Sequence, residues 1–550
     1  MVCFAPLRCL SLLALATPLC VPAHASGVCD NYGPISPDLR VNASSGFDQI
    51  WGRVARGQTG FTFVWSAGQD VWMRRYDLAL APLGGDVQVN ETLTFDIQDE
   101  PEVAYSGFGT TLVAWSDRNA YDGELMGVFG RVYAANGAPL GPEFQINQAG
   151  AASQWRPLIA PMPAGFVVAF TGDWDGDSFF RILDQNGVPQ GGDVRVNEWE
   201  IDAQVDPAPA VNRFGTIFIA FVDFSGHGNV GTGLNLYGRT FSSTGVAQQP
   251  QEFALTSSLG NGDQREPRIG ADGFGRFVVV WESQLHDGSG YGIFARRYDA
   301  SIAALGPEFQ VNSTTSGDQR AASVAVQRDG GFLVSWLDWS AGTPRIRARR
   351  FDPNAAPLGD DFVVNESPAS GVERAGLAQS TFGDDLVVAY AGPGDASDVY
   401  MRRFALATGP IAFGTPKQAS HGCLPTITSS GTPSATDPTP FLVQASSVLN
   451  QVTGGLYYSF GSAYTPFLGG TLYLAMPSYR TTNFFSAGNP LPYDCSGTFS
   501  YDFNALIQSG ANASLTVGKT VSAQYIFRDV QDPAFYGRGL TNGLRFTICP

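Results

Sequence analysis

The connections between the apolar strands of this chain are rich in carboxylates and tryptophans. One set holds Asp117, Asp122, Glu124, Asp173, Trp174, Asp175, Asp177, Asp223, His227, His286, Asp287, Asp338 and Trp339. A second set holds Glu198, Trp199, Glu200 and Asp202, and Trp155 follows the connection 148–153. Aromatic faces beside carboxylates suit sugar rings, because the ring stacks on the apolar sugar face and the carboxylate accepts hydroxyl hydrogen bonds. Trp155, Trp174, Trp199, Trp339, Asp117, Asp122, Asp173 and Asp287 are therefore the candidate ligand-binding residues. Two carboxyls about 5 to 9 Å apart could also cleave a glycosidic bond. The sequence offers many acids and no means of choosing a pair, so no catalytic residue is assigned. Asp173, Asp175 and Asp177 form a weak calcium candidate, and no other cofactor is suggested. The competing reading is structural, since Asp-Gly at 122–123, 175–176 and 287–288 makes hairpin turns. No GxSxG elbow, HExxH pair, P-loop or catalytic cysteine is present, and His227, His286 and His421 are too scattered for a zinc site.

The elements that carry these loops repeat. An apolar strand ending in an aromatic residue occurs seven times, at 60–66, 110–116, 165–171, 216–222, 276–282, 331–337 and 385–391, with copies 50 to 60 residues apart. A strand with Arg two positions before a bulky residue follows each one. The arginines are Arg74, Arg131, Arg181, Arg239, Arg296, Arg349 and Arg402. A polar entry precedes each pair, at Gln49, Gln98, Gln154, Gln204, Gln264, Gln319 and Glu373, with Pro three residues later at Pro101, Pro157, Pro207 and Pro267. Each unit closes on a phrase such as DVQVN (86–90), EFQIN (143–147) or EFQVN (308–312).

Four short strands in about 50 residues is the signature of a propeller blade, which must stack on its neighbours to bury both faces. Immunoglobulin-like sandwiches need about 100 residues per unit, and a β-helix needs a much shorter period. The expected fold is all-β: a seven-bladed β-propeller over 38–405. Residues i and i+2 of a strand share a face, so each Arg should stack on its bulky neighbour and bond loop carbonyls, a structural role. Closing phrases number seven only if DLRVN (38–42) is counted, so this N-terminal strand should complete the last blade. The repeat resembles tandem repeats of exported bacterial proteins, some beside calcium-binding adhesin modules. That resemblance covers 38–405 and implies architecture, not activity.

The start of the chain reads as a signal peptide (1–25) ending at Ala23-His24-Ala25, followed by a lead (26–37). This predicts a secreted or periplasmic protein without a membrane span. Removing Arg8 with the signal takes the net charge from −17 to −18, and only Lys417 and Lys519 are lysines. Such a surface argues against nucleic acid as partner. After a linker (406–420) the texture changes, and strand-like runs over 421–550 predict a small β-sandwich. This part resembles a C-terminal β module of exported bacterial proteins, with either an attachment or a capping role. Cys29, Cys423, Cys495 and Cys549 should form disulfides. Ring closure suggests Cys29 with Cys423 and Cys495 with Cys549. The functional expectation is a monomeric binding or adhesion protein that recognises carbohydrate or another surface ligand through loops on one face. Trp155, Trp174, Trp199 and Trp339 should gather there. A polysaccharide hydrolase or lyase is the alternative.

Overall fold

The structure is a computed structural model. It describes residues 31–34, 36, 38–44, 47–91, 97–118, 126–148, 153–172, 176–225, 233–256, 262–365, 376–379, 386–392, 398–407, 410–517 and 519–549. The described part is all-β apart from the short helix Phe503–Gln508 and a single 3-10 turn.

Up to Phe404 the strands form a propeller-like arrangement of six four-stranded antiparallel sheets and one five-stranded sheet. The first sheet is Gln49–Arg56, Gly60–Ala67, Asp70–Asp77 and Val87–Gln88. The next five repeat this order, and their leading strands are Gln98–Tyr105, Trp155–Met162, Gln204–Val211, Gln264–Ala271 and Gln319–Val326. The second strand of each is apolar on both sides because it is covered on both faces. In Gly60–Ala67 every residue up to Ser66 is buried. Apolar cores join each sheet to the next, as Val64, Val71 and Val89 pack with Val113, Trp115 and Phe129. The last sheet packs on the first through Val387, Ala389, Val399 and Met401 against Val54, Phe61, Phe63 and Trp65. Leading strands touch their neighbours in turn, and Gly376–Gln379 touches Gln49–Arg56, so they surround a common axis.

The repeated phrase ending in Val-Asn is a locking device. The Asn side-chain oxygen accepts a backbone N–H nineteen or so residues upstream: Asn90 from Val71, Asn147 from Val128, Asn197 from Ser178, Asn312 from Ile293 and Asn365 from Ile346, all at 2.8–3.0 Å. Its amide then donates to the Gln that opens the next sheet, as Asn90 does to Gln98 at 3.0 Å and Asn312 to Gln319 at 2.9 Å. These groups are buried, so each bond satisfies a group that would otherwise be stranded.

The arginine series ties each sheet to the unit before it. In every sheet Nη1 donates to the carbonyl before that Asn (or its Thr256 equivalent) in the preceding unit, at 2.7–3.1 Å: Arg74 to Val41, Arg131 to Val89, Arg181 to Ile146, Arg239 to Val196, Arg296 to Leu255, Arg349 to Val311 and Arg402 to Val364. Six of the seven also lie over the ring two residues on, at 5.5–5.7 Å. The exception is Arg181, whose neighbour is Leu183.

The N-terminal segment takes the outer position of the last sheet. Leu39 and Arg40 pair with Met401 and Tyr400. The Val41 N–H donates to the Val399 carbonyl at 2.7 Å, and Asn42 accepts from Val399 N–H at 2.9 Å, over more than 350 residues of chain. A further strand, Asn31–Pro34, which the sequence does not announce, continues this edge against Phe404–Ala407.

Beyond it lie a seven-stranded and a three-stranded sheet that share one apolar core, and a two-stranded sheet. Two expectations are corrected here. The segment 406–420 is not simply a linker, because Ile411–Phe413 pairs with Gly543–Thr547 and so joins the C-terminal sheet. The cysteine pairing also differs: Cys423 is bonded to Cys495, with Cα atoms 5.4 Å apart. Cys423 belongs to the C-terminal core rather than to the ring seam, so the bridge stays within that core. Cys549 is disulfide-bonded as well. Cys29 lies outside the described residues. Asn31 stands opposite Ala407 and Arg545 opposite Ile411, so the chain neighbours of Cys29 and Cys549 converge on 407–411. A non-reducing peptide map is expected to show Cys423–Cys495 and Cys29–Cys549. Recovery of Cys29 as a free thiol would refute the second pair.

Candidate functional site

The first six leading strands are each interrupted two residues after the Gln that opens their sheet. Register shifts fall between Ile50 and Arg53, Asp99 and Glu102, Trp155 and Leu158, Val205 and Ala208, Arg265 and Arg268, and Arg320 and Ser323. At each bulge one non-glycine residue is left-handed: Trp51, Glu100, Arg156, Asp206, Glu266 and Ala321, with φ between +52° and +58°. Four of these precede Pro101, Pro157, Pro207 and Pro267, and proline tolerates a bulge because it has no ladder N–H to lose. A left-handed residue of this kind costs about 1–3 kcal/mol, so six in register need strong support. The neighbouring sheet supplies some of it. The amide of Arg156 donates to Ser116 Oγ at 2.9 Å, that of Asp206 to Thr171 Oγ1 at 3.0 Å and that of Ala321 to Glu282 Oε1 at 2.6 Å.

Bulges re-aim side chains, and here they deliver charged ones to the axis. Trp51, Arg53, Glu100, Glu102, Arg156, Pro157, Leu158, Asp206 and Arg268 line a small recess. Arg156 sits at its centre of charge, 2.7 Å from Asp206, 3.4 Å from Glu100 and 3.5 Å from Glu266. Burial works against the Arg156 charge, but Asp206 and Glu100 outweigh it and hold the guanidinium above its ordinary range. Arg53 pairs with Glu102 at 2.8 Å and lies 5.9 Å from the centre of the Trp51 ring. Glu100 also accepts from the Ser116 hydroxyl at 3.0 Å.

Two groups beside these differ in character. Arg268 lies deep among protein atoms yet keeps part of its surface open to the recess. Burial pushes its guanidinium down to about 10, with Glu102 pulling the other way and Arg53 adding to the drop. Glu282 is buried, and desolvation raises its carboxyl above the usual range despite the Ala321 N–H and the nearby arginines.

The residues expected to bind ligand are placed differently. Trp155, Trp199 and Trp339 all sit at the end of the sheets where the leading strands begin: Trp155 opens the third sheet, Trp199 follows that sheet, and Trp339 lies between the second and third strands of the sixth. Trp199 and Trp339 are each 42% exposed. The three described tryptophans thus share one end of the ring while belonging to different sheets, and Trp174 lies outside the described residues, as do Asp122, Asp173 and Asp175. Asp117 is fully buried and accepts from Gln98 Nε2 at 3.3 Å, so it belongs to the Asn–Gln lock. Asp287 accepts from the Ser289 amide at 3.1 Å and from Asn312 at 3.2 Å, which is its turn-forming role. Asp177, one of the calcium candidates, receives Asn197 at 2.8 Å and lies 3.6 Å from Arg195. Among the described residues no group of three or more His, Cys, Asp or Glu is arranged to hold a metal ion. No helix among them is long and apolar enough to cross a membrane.

Sequence reading passed over the recess. Its signal was available in the Gln-x-x-Pro spacing, since a proline inside an otherwise strand-like run marks a bulge.

The sequence matches no protein-family model and no curated protein. Among solved structures it is similar to a protein of unknown function from Dyadobacter fermentans, at 10% identity over 68% of this chain and 99% of that one, TM-score 0.42. It is also similar to the GH93 α-L-arabinofuranosidase of Fusarium graminearum in complex with arabinobiose, at 10% identity over 68% and 97%, TM-score 0.41. A polysaccharide lyase is similar at 11% identity over 67% and 93%, TM-score 0.38. At such scores these likenesses assign no activity to this chain.

Proposed function

We propose that this chain is an exported carbohydrate-recognising protein, built as a closed seven-bladed β-propeller followed by a β-sandwich cap, and that the axial recess is its sugar site. The observation that carries this reading is the recess itself, where Trp51 stands beside carboxylates and guanidiniums contributed by five leading strands. An indole face takes the apolar side of a pyranose or furanose ring. Carboxylates held in place by Arg53 and Arg156 present fixed acceptors to its hydroxyls, and the guanidiniums present donors. Fixing these groups before the ligand arrives lowers the ordering cost of binding. The exposed Trp199 and Trp339 extend recognition to the surrounding loops. The C-terminal sheets act as a cap: Tyr464 covers Arg402, with the guanidinium 5.1 Å from its ring centre, and closes the last sheet. An oxidised Cys423–Cys495 pair agrees with export.

One observation favours catalysis as a second reading. Glu100, Glu102 and Asp206 stand in one recess. Two carboxyls about 5 to 9 Å apart can cleave a glycosidic bond. A panel of polysaccharides separates the two readings. Retention without product supports recognition, and new reducing or unsaturated ends support hydrolysis or elimination. Replacing Trp51 by Ala is expected to weaken glycan affinity about tenfold, or about 1.4 kcal/mol, with the melting temperature little changed. Undiminished affinity in a folded Trp51→Ala protein would remove the recess as the site.

A further inference from the structure

We propose that the recess selects a carboxylated sugar, a uronate residue, and that Arg268 reads its carboxylate; this rests on the recess being a sugar site. Counting charges leads there. Arg53 is taken by Glu102, and Arg156 by Glu100, Asp206 and Glu266. Arg268 has no carboxylate within ion-pair distance among the described residues. Its one hydrogen bond runs from Nη1 to the Pro267 carbonyl beside it, at 2.7 Å. The rest of its planar fork is left for a ligand.

A partly buried guanidinium without a counter-ion in ion-pair contact is a costly arrangement, and an incoming carboxylate relieves it. The fork matches a carboxylate bidentately, which adds geometric selectivity to the charge attraction. The other walls narrow the choice of anion. Trp51 and Leu158 are apolar and suit a ring face, so the anion comes attached to a sugar rather than free in solution. The overall charge of −17 opposes a polyanion at long range. Selection therefore acts on one uronate held at the axis and not through a basic groove tracking many charges. A bound uronate should also tighten the hold of Arg268 on its proton, which burial loosens.

The test needs no altered protein in its first arm. Calorimetric titration with tetragalacturonate, with its fully methyl-esterified form and with neutral galactotetraose compares carboxylate, ester and hydroxymethyl groups at the same ring carbon. The acid form is expected to bind at least tenfold more tightly than the ester. In the second arm, Arg268→Gln should abolish that preference while retaining ester binding, which also shows that the variant is folded. Equal affinity of acid and ester for the unaltered protein would overturn the inference while leaving the sugar site standing. Binding of none of the three, nor of any neutral glycan in a panel, would overturn both.

Discussion

Removing residues 31–42 is expected to destabilise the protein by more than about 5 kcal/mol, a loss on the scale of the whole stability of an ordinary domain. Val41 is fully buried, and burying a valine contributes about 1.5–3 kcal/mol. Its carbonyl accepts both Arg74 Nη1 at 2.9 Å and the Tyr76 hydroxyl at 2.7 Å. Asn42 satisfies the Val399 amide and donates to Asp398 at 2.7 Å and to Gln49. Stranding each of these buried groups costs about 1–3 kcal/mol. The truncation also bares the long strand Asp398–Ala407 as an open edge, an invitation to aggregation. A chain beginning at residue 26 should melt like the protein itself, whereas one beginning at residue 43 should melt far lower or aggregate. Melting within about 2 °C of one another would mean that the seam is held by something else.

Arg156→Met should be the most damaging single substitution at the axis. It removes the cation shared by Glu100, Asp206 and Glu266 and leaves three carboxylates facing one another. Breaking a buried ion pair costs about 3–5 kcal/mol, and the partial exposure of Arg156 places the expected loss nearer about 2–4 kcal/mol. Pairing it with Asp206→Asn should recover part of that loss, with a coupling of about 1–3 kcal/mol measured by denaturant unfolding of the four proteins in the cycle. Strict additivity would show that Arg156 and Asp206 do not act on each other. The single variant should also lose glycan binding, because the acceptors that Arg156 holds in place would be free to turn away.

Much of the architecture was legible before any coordinates. Alternation along a strand has a period of two, so the Arg and the ring at Arg74 and Tyr76 had to share a face, and they do. A count of closing phrases that came out even only with residues 38–42 pointed to the N-terminal strand beside Asp398–Ala407, and Leu39 pairs with Met401. These are local or repeated signals, and repetition amplifies them. Two acids picked from the loops are committed elsewhere for a related reason. Asp117 and Asp287 look alike as sequence, but whether a carboxylate faces a ligand or a neighbouring amide depends on what the next strand brings to it. Gln98 and Asn312 claimed both.

The amino-acid sequence by itself determined the four-strand unit, its sevenfold recurrence and the structural work of the arginines, because each depends on residues within one unit or its immediate neighbour. Only the tertiary structure decided where chemistry can occur. Trp51, Glu100, Arg156, Asp206 and Arg268 come from five sheets and stand 49 to 62 residues apart in sequence, and no periodicity says that a bulge in each turns them to one axis. The cysteines obey the same rule. Any of three pairings satisfies four thiols, and Cys423 met Cys495 because the C-terminal core folded them to 5.4 Å.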